Sequence, residues 1–183
     1  GNTYLALKYG KFGFTGNASY YHHSRPESES TYMRENFAPS PENILTQDGT
    51  DKSNGGGLFF SSALSYEPDT LNLFNLSVSR FGGDFSSTGL QNALSKGAQN
   101  YSYLAHSFSE QEYGGTELSA DYQRNFKKEG EMLTFSYRFQ QNPNDGEYES
   151  RFTDVTGDYF YPEGYRRKSI NDAGGKEHTG QID

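Results

Sequence analysis

Four histidines, a spaced set of acidic side chains and a group of tyrosines are the residues here whose types suit chemistry or binding. His22 and His23 are adjacent, and on a strand adjacent side chains point to opposite faces, so the two cannot chelate one metal ion. His106 and His178 stand far off in the chain. In "DGTDKSNGGG" (48–57), Asp48, Asp51 and Asn54 recur every third residue, whereas a calcium loop needs ligands at alternate positions and a closing bidentate Glu. That stretch reads as a solvated loop with a glycine hinge, and "NPNDGEYES" (142–150) as a turn after a strand. The chain has no cysteine, which removes disulfides and thiolate metal sites. The expectation is no metal site and no cofactor.

Catalytic patterns are equally sparse. There is no GxSxG elbow, no phosphate-binding glycine loop and no HExxH pair, and Glu147 and Glu149 read as loop charges, so no enzyme activity is expected. A net charge of -8 with no basic stripe argues against nucleic acid. One group remains. The segment 140–175 carries Tyr148, Phe152, Tyr159, Phe160, Tyr161 and Tyr165, and exposed rings offer large contact area at low entropic cost. Tyr148, Tyr159, Tyr161 and Tyr165 are the candidate ligand contacts, and the competing reading is that these rings pack the segment onto itself.

Strict alternation supplies the elements that must position these residues. Leu133, Phe135, Tyr137 and Phe139 alternate with Thr134, Ser136, Arg138 and Gln140, giving one apolar and one polar face. The same pattern predicts strands over 3–9, 12–22, 58–66, 71–81 and 113–126, with a seventh beginning near Glu177. Turns "GK" at 10–11, "EPDT" at 67–70 and "KKEG" at 127–130 join them in pairs. Long polar connections are expected at about 24–57, 82–112 and 140–175. The fold class is therefore all-β, an antiparallel up-and-down meander of six or seven strands, with short turns at one end and long loops at the other. That asymmetry is characteristic of transmembrane barrels, in which about ten tilted residues cross the hydrocarbon layer.

Composition and charge agree with a barrel. The chain is only 32% hydrophobic yet 16% aromatic, and it holds 21 glycines. A soluble sheet of this size needs a core that such a composition does not readily fill. The three long connections hold 16 acidic and 8 basic residues, so the strands and short turns sum to zero. On the strands, Lys8, Glu117, Asp121 and Arg138 share the polar parity; Arg80 and Arg124 fall on the apolar parity, near strand ends where long side chains snorkel. Leu71 and Leu73 fall on the polar parity beside a turn. Tyr9, Phe12, Tyr66, Tyr122 and Phe126 share the apolar parity near the short turns, as an interfacial aromatic girdle requires.

The hairpins "YGKFGFTGNASYYHH" and "YQRNFKKEGEMLTFSYRFQQNPND", with the closing "KEHTGQID", resemble outer-membrane β-barrel proteins of Bacteroidota of the TonB-dependent receptor type. The resemblance covers the strands and little of the connections. It implies a larger barrel with an N-terminal plug domain and a segment that engages TonB, importing a nutrient ligand across the bacterial outer membrane. On that reading, residues 1–183 are an internal barrel segment. Its partners are outer-membrane lipid, the remaining strands and plug of the parent protein, TonB through a region outside this segment, and an unidentified nutrient. A surface-binding protein or adhesin and a plug-free porin are the alternatives.

Overall fold

A computed structural model describes residues 1–37, 42–128 and 130–183. The described residues form seven strands: β1 (Asn2–Tyr9), β2 (Phe12–Asn36), β3 (Asn43–Tyr66), β4 (Asn72–Gly97), β5 (Tyr101–Asn125), β6 (Met132–Gly157) and β7 (Arg166–Ile182). They make a single antiparallel sheet in the order β1-β2-β3-β4-β5-β6-β7, an up-and-down meander. Among the described residues β1 pairs only with β2 and β7 only with β6, so the sheet is open.

The first six strands start or end at the short turns expected from the alternation. Gly10 supplies the positive φ of 57° that the two-residue turn between β1 and β2 demands. Between β3 and β4, Asp69 accepts hydrogen bonds from the backbone N–H of Leu71 and Asn72 and from the Asn72 amide, which hold its carboxyl below the usual range. The turn after β5 is closed by the Phe126 N–H donating to the Glu131 carbonyl; Glu129 of "KKEG" lies outside the described residues.

The other end differs from the expected loops. β2 to β6 are 24 to 26 residues long and run straight through most of 24–57, 82–112 and 140–175. The excursions are thus extensions of the same hairpins, built as paired strand. "DGTDKSNGGG" lies inside β3, hydrogen-bonded to β2 and β4 on its two sides. "NPNDGEYES" lies inside β6. Pro143 has no N–H to give, and the β5–β6 ladder is interrupted there, between the Tyr113–Asn144 and Thr116–Gln141 pairs. Pro26 is accommodated similarly, at a register shift between Arg25 and Ser28.

Candidate functional site

Register turns the parity of the sequence into two continuous surfaces. Residues paired across an antiparallel ladder project to the same side. Following the ladders from Tyr9 gives a row Tyr9–Phe12–Tyr66–Phe74–Tyr122–Phe135–Ile182 across all seven strands. Next to it run Leu7–Phe14–Leu64–Leu76–Ala120–Tyr137, then Leu5, Val78, Leu118 and Phe139 with Gly16 and Ser62 between them. These rows form an apolar belt, and its members stay open to the surroundings: Leu7 is 57% exposed, Leu76 47% and Phe135 41%. Among the described residues, Ala93 and Tyr103 are the buried hydrophobic ones. The sheet has almost no protein core.

The aromatic row is an ordered stack. Ring centroids of Phe12 and Tyr66 lie 4.4 Å apart, Tyr66 and Phe74 6.2 Å, Phe74 and Tyr122 4.6 Å, and Tyr122 and Phe135 6.3 Å, with interplanar angles of 13° to 27°. The Tyr122 hydroxyl donates to the Asn72 side-chain oxygen at 2.7 Å, tying the row to the turn end of β4. Arg124 lies 5.9 Å over the Phe126 ring at the same end. The opposite limit of the belt is slanted. It stands at Tyr20 and Leu58 on β2 and β3, but at Leu118 and Phe139 on β5 and β6. Because Leu58 aligns through Gly82 with Gly114, the edge descends four residues across that span.

The other face carries the polar parity. Lys8, Asp121, Glu117 and Arg138 all lie on it, and Arg138 forms an ion pair with Glu117. The buried polar residues Ser53, Ser95 and Ser150 lie there too, with Ala93 and Tyr103. Tyr21 and Tyr113 reach across β3 and β4 on this face, their hydroxyls 2.9 Å apart. Gly57 and Gly83 lie beneath the two rings: a Cβ at Gly57 would meet the Tyr21 ring at 2.6 Å, and one at Gly83 the Tyr113 hydroxyl at 2.7 Å. The alternation places these rings on the polar side, but nothing in it signals that they meet.

The four candidate tyrosines separate into two places. Tyr159, Tyr161 and Tyr165 belong to the connection after β6, where Tyr159 stacks on Tyr103 at 4.3 Å and Tyr161 on Tyr165 at 4.2 Å, around Phe152 and Tyr101. Tyr148 lies further down β6, opposite Ser109 and Ser169 and outside this cluster. The rings therefore pack the far end of β5 and β6 onto itself, and Phe160, 86% exposed, is the open member. Tyr101 and Tyr103, which belong to the cluster, lay outside the segment singled out from the sequence.

Burial, with Tyr103 next to it, pushes the Tyr159 phenol above its usual range. The proton is bound more tightly in the folded cluster than in the unfolded chain. Its contribution to stability is complete below about pH 10 and is lost as pH rises through the raised folded value. Alkaline titration followed by phenolate absorbance is expected to show a late component that shrinks in Tyr159→Phe; a Tyr159 that ionises with the unshifted tyrosines would contradict this packing.

His22 and His23 point to opposite faces, and the His23 ring lies 6.4 Å from those of Tyr21 and Phe85. His178 instead accepts or donates a hydrogen bond with the Tyr137 hydroxyl at 2.8 Å at the belt edge. Asp48 and Asp51 lie on opposite faces of β3. No group of three or more His, Asp or Glu side chains among the described residues is arranged to hold a metal ion.

No protein-family profile and no curated protein matches the chain. Among solved structures, Pseudomonas aeruginosa OccK10 (OpdN) aligns at 9% identity over 99% of this chain and 90% of that one, with a TM-score of 0.14. Pseudomonas aeruginosa OpdQ aligns at 10% identity over 100% and 86%, with a TM-score of 0.13. At such scores neither alignment bears on the fold or function of this chain, which rest on its own residues.

Proposed function

We propose that the chain is a wall segment of an outer-membrane β-barrel, with the belt against lipid and the polar face toward an aqueous lumen. The observation that carries this reading is the exposed apolar belt, seven strands wide and bordered by the stacked aromatic row, in a sheet without a protein core. Contiguous apolar surface on that scale needs a covering phase, and interfacial aromatics are where a bilayer edge favours them. The slant supports it independently. Four residues are about 13 Å of strand, and the edge falls by that much over about 14 Å of lateral spacing, a tilt of about 40°. Barrel strands tilt by roughly 35–45°.

Only part of each long strand is needed to cross. Strands of 24 to 26 residues measure about 80 Å, against the roughly ten residues that span hydrocarbon, so the remainder rises as a wall on the outer side. The finer reading follows the resemblance of the hairpins: an import receptor of the TonB-dependent type, in which a nutrient is captured at the outer rim and passes through the lumen when a plug moves. The tyrosine cluster at the end of β5 and β6 is the first place to look for ligand contact. The open edges of β1 and β7 support further strands on both sides, since unpaired edges otherwise promote aggregation.

The test uses the intact protein. A barrel is expected to require detergent and to migrate differently on gels before and after boiling. A water-soluble monomer whose mobility is unaffected by heat would refute the barrel reading. A plug domain upstream of the barrel then separates a receptor from a porin.

A further inference from the structure

We infer that the polar face carries a binding site for a neutral saccharide, centred on Tyr21, Tyr113 and Phe81 at and beyond the level of the belt's outer edge. This rests on the reading of that face as a water-filled lumen, and it lies apart from the tyrosine cluster at the far end of β5 and β6. Phe59 and Phe81 pair across β3 and β4. One row further out Tyr21 and Tyr113 close over Gly57 and Gly83, and the row after that holds His23 and Phe85. The rings are open, Tyr21 at 55% and Phe81 at 46% exposure. They face away from the belt, so lipid does not account for them.

Glycines on the adjacent strands let these rings lean across the sheet. A Cβ at Gly55 would meet the His23 ring at 2.7 Å, and one at Gly115 would run into the Phe81 ring, as at Gly57 and Gly83. The bond between the Tyr21 and Tyr113 hydroxyls holds two of the rings in place, so a ligand orders little that is not already ordered. Charge is missing from the whole band. From β2 to β7 the rows through Phe59, Gly57 and Gly55 contain no Asp, Glu, Lys or Arg, whereas Asp84, Glu112, Asp145 and Asp172 form one continuous row on the opposite face. A ligand recognised by its charge finds no partner there. The polar groups of the band are amides: Gln111 donates to the Asn144 side-chain oxygen at 3.2 Å, Asn142 stands beside the Phe81 ring, and Asn171 follows on β7. Each amide both donates and accepts, and a purely apolar solute would bury them unpaired. A pyranose offers an apolar C–H face for the rings and a rim of hydroxyls for the amides, without charge. The three rows cover about 13 Å along the strands and β2 to β5 about 14 Å across them, the footprint of a short oligosaccharide.

The experiment is saturation-transfer NMR on the intact protein in detergent, titrated separately with maltotriose, mannotriose, xylotriose and trigalacturonic acid. The expected result is transfer to the C–H protons of at least one neutral trisaccharide, with affinity about tenfold above that for the acidic one, falling about tenfold in Tyr113→Ala and Phe81→Ala but not in Asp84→Asn on the opposite face. Binding of none of the neutral sugars, as when another segment of the parent protein covers the rings, would overturn the site. Equal affinity for trigalacturonic acid would do the same, as would undiminished affinity in both ring variants. The comparison of neutral and acidic sugars on the unmodified protein stands even if a variant fails to assemble. Heat-modifiable mobility, measured alongside, distinguishes the two proposals: its absence defeats the barrel, whereas its presence without sugar binding defeats the saccharide site alone.

Discussion

Phe14→Lys is expected to block barrel assembly while Thr15→Lys, one residue away, is tolerated. Phe14 sits within the belt between Leu7 and Leu64, and Thr15 faces the other way between Ala6 and Ala63. In lipid a lysine at the first position costs about 2–4 kcal/mol near mid-depth, whereas at the second it reaches lumen water past two small neighbours at little cost. In a soluble sheet the order reverses or disappears. A charge on an exposed apolar face improves solubility, and neither position would lose stability by this mechanism. The measurement is the heat-modifiable fraction of each variant in isolated membranes, and equal fractions for the pair would contradict the assigned faces.

Gly97→Val and Gly157→Val are expected to open the far-end turns and shorten the wall. Gly97 has φ of 126° and Gly157 of 72°, conformations that a β-branched residue avoids. A Cβ at Gly97 would also run into the Glu42 carbonyl oxygen, and one at Gly157 into the Asn100 carbonyl oxygen, both backbone atoms with little freedom to yield. The backbone strain alone is worth about 1–3 kcal/mol, and the overlap adds to it. Gly157 also adjoins the tyrosine cluster, because the Asp158 N–H donates to the Asn100 carbonyl at 3.0 Å. Gly157→Val should therefore release Tyr159 as well as the hairpin end. Limited proteolysis is the readout, with new cleavage expected near 97–101 or 157–165 and none near the short turns.

The lower half of the sheet is legible in the sequence because it solves one physical problem repeatedly. Each strand there separates an apolar from a polar environment, so its residues alternate, and parity alone places Phe14, Leu64, Leu76, Ala120 and Tyr137 in one row. On the membrane reading, the upper half has water on both sides. Around Asp48, Gly49 and Thr50, or Ser86, Ser87 and Thr88, neither face needs to be apolar, the alternation vanishes, and polar turn-forming residues imitate loops. These stretches are strands because the neighbouring hairpin satisfies their backbone, as in the continuous β3–β4 ladder from Asn43–Gly97 to Tyr66–Phe74. Composition does not report such pairing. Pro143 misled for a similar reason: proline argues against a central strand, and only the interrupted ladder beside Gly114 and Gly115 shows how it is tolerated.

The tyrosine cluster was half legible. Abundance of rings in 140–175 drew attention to Tyr159, Tyr161 and Tyr165, but their main partners Tyr101 and Tyr103 come from the start of β5. Long-range register brings them together, and no local pattern encodes it. Tyr148 shares the segment yet not the cluster, because β6 carries it away along the polar face.

The central claim, that lipid covers one face of this sheet and water the other, can be tested residue by residue along β4. The chain has no native cysteine, so single cysteines carrying spin labels can be introduced from Phe74 to Ser79 in the intact protein reconstituted in bilayers. The account predicts that Phe74, Leu76 and Val78 are accessible to a lipid-dissolved relaxer and Asn75, Ser77 and Ser79 to a water-dissolved one, with both signals becoming aqueous by Asp84. Accessibility to the aqueous relaxer at all six positions would contradict it.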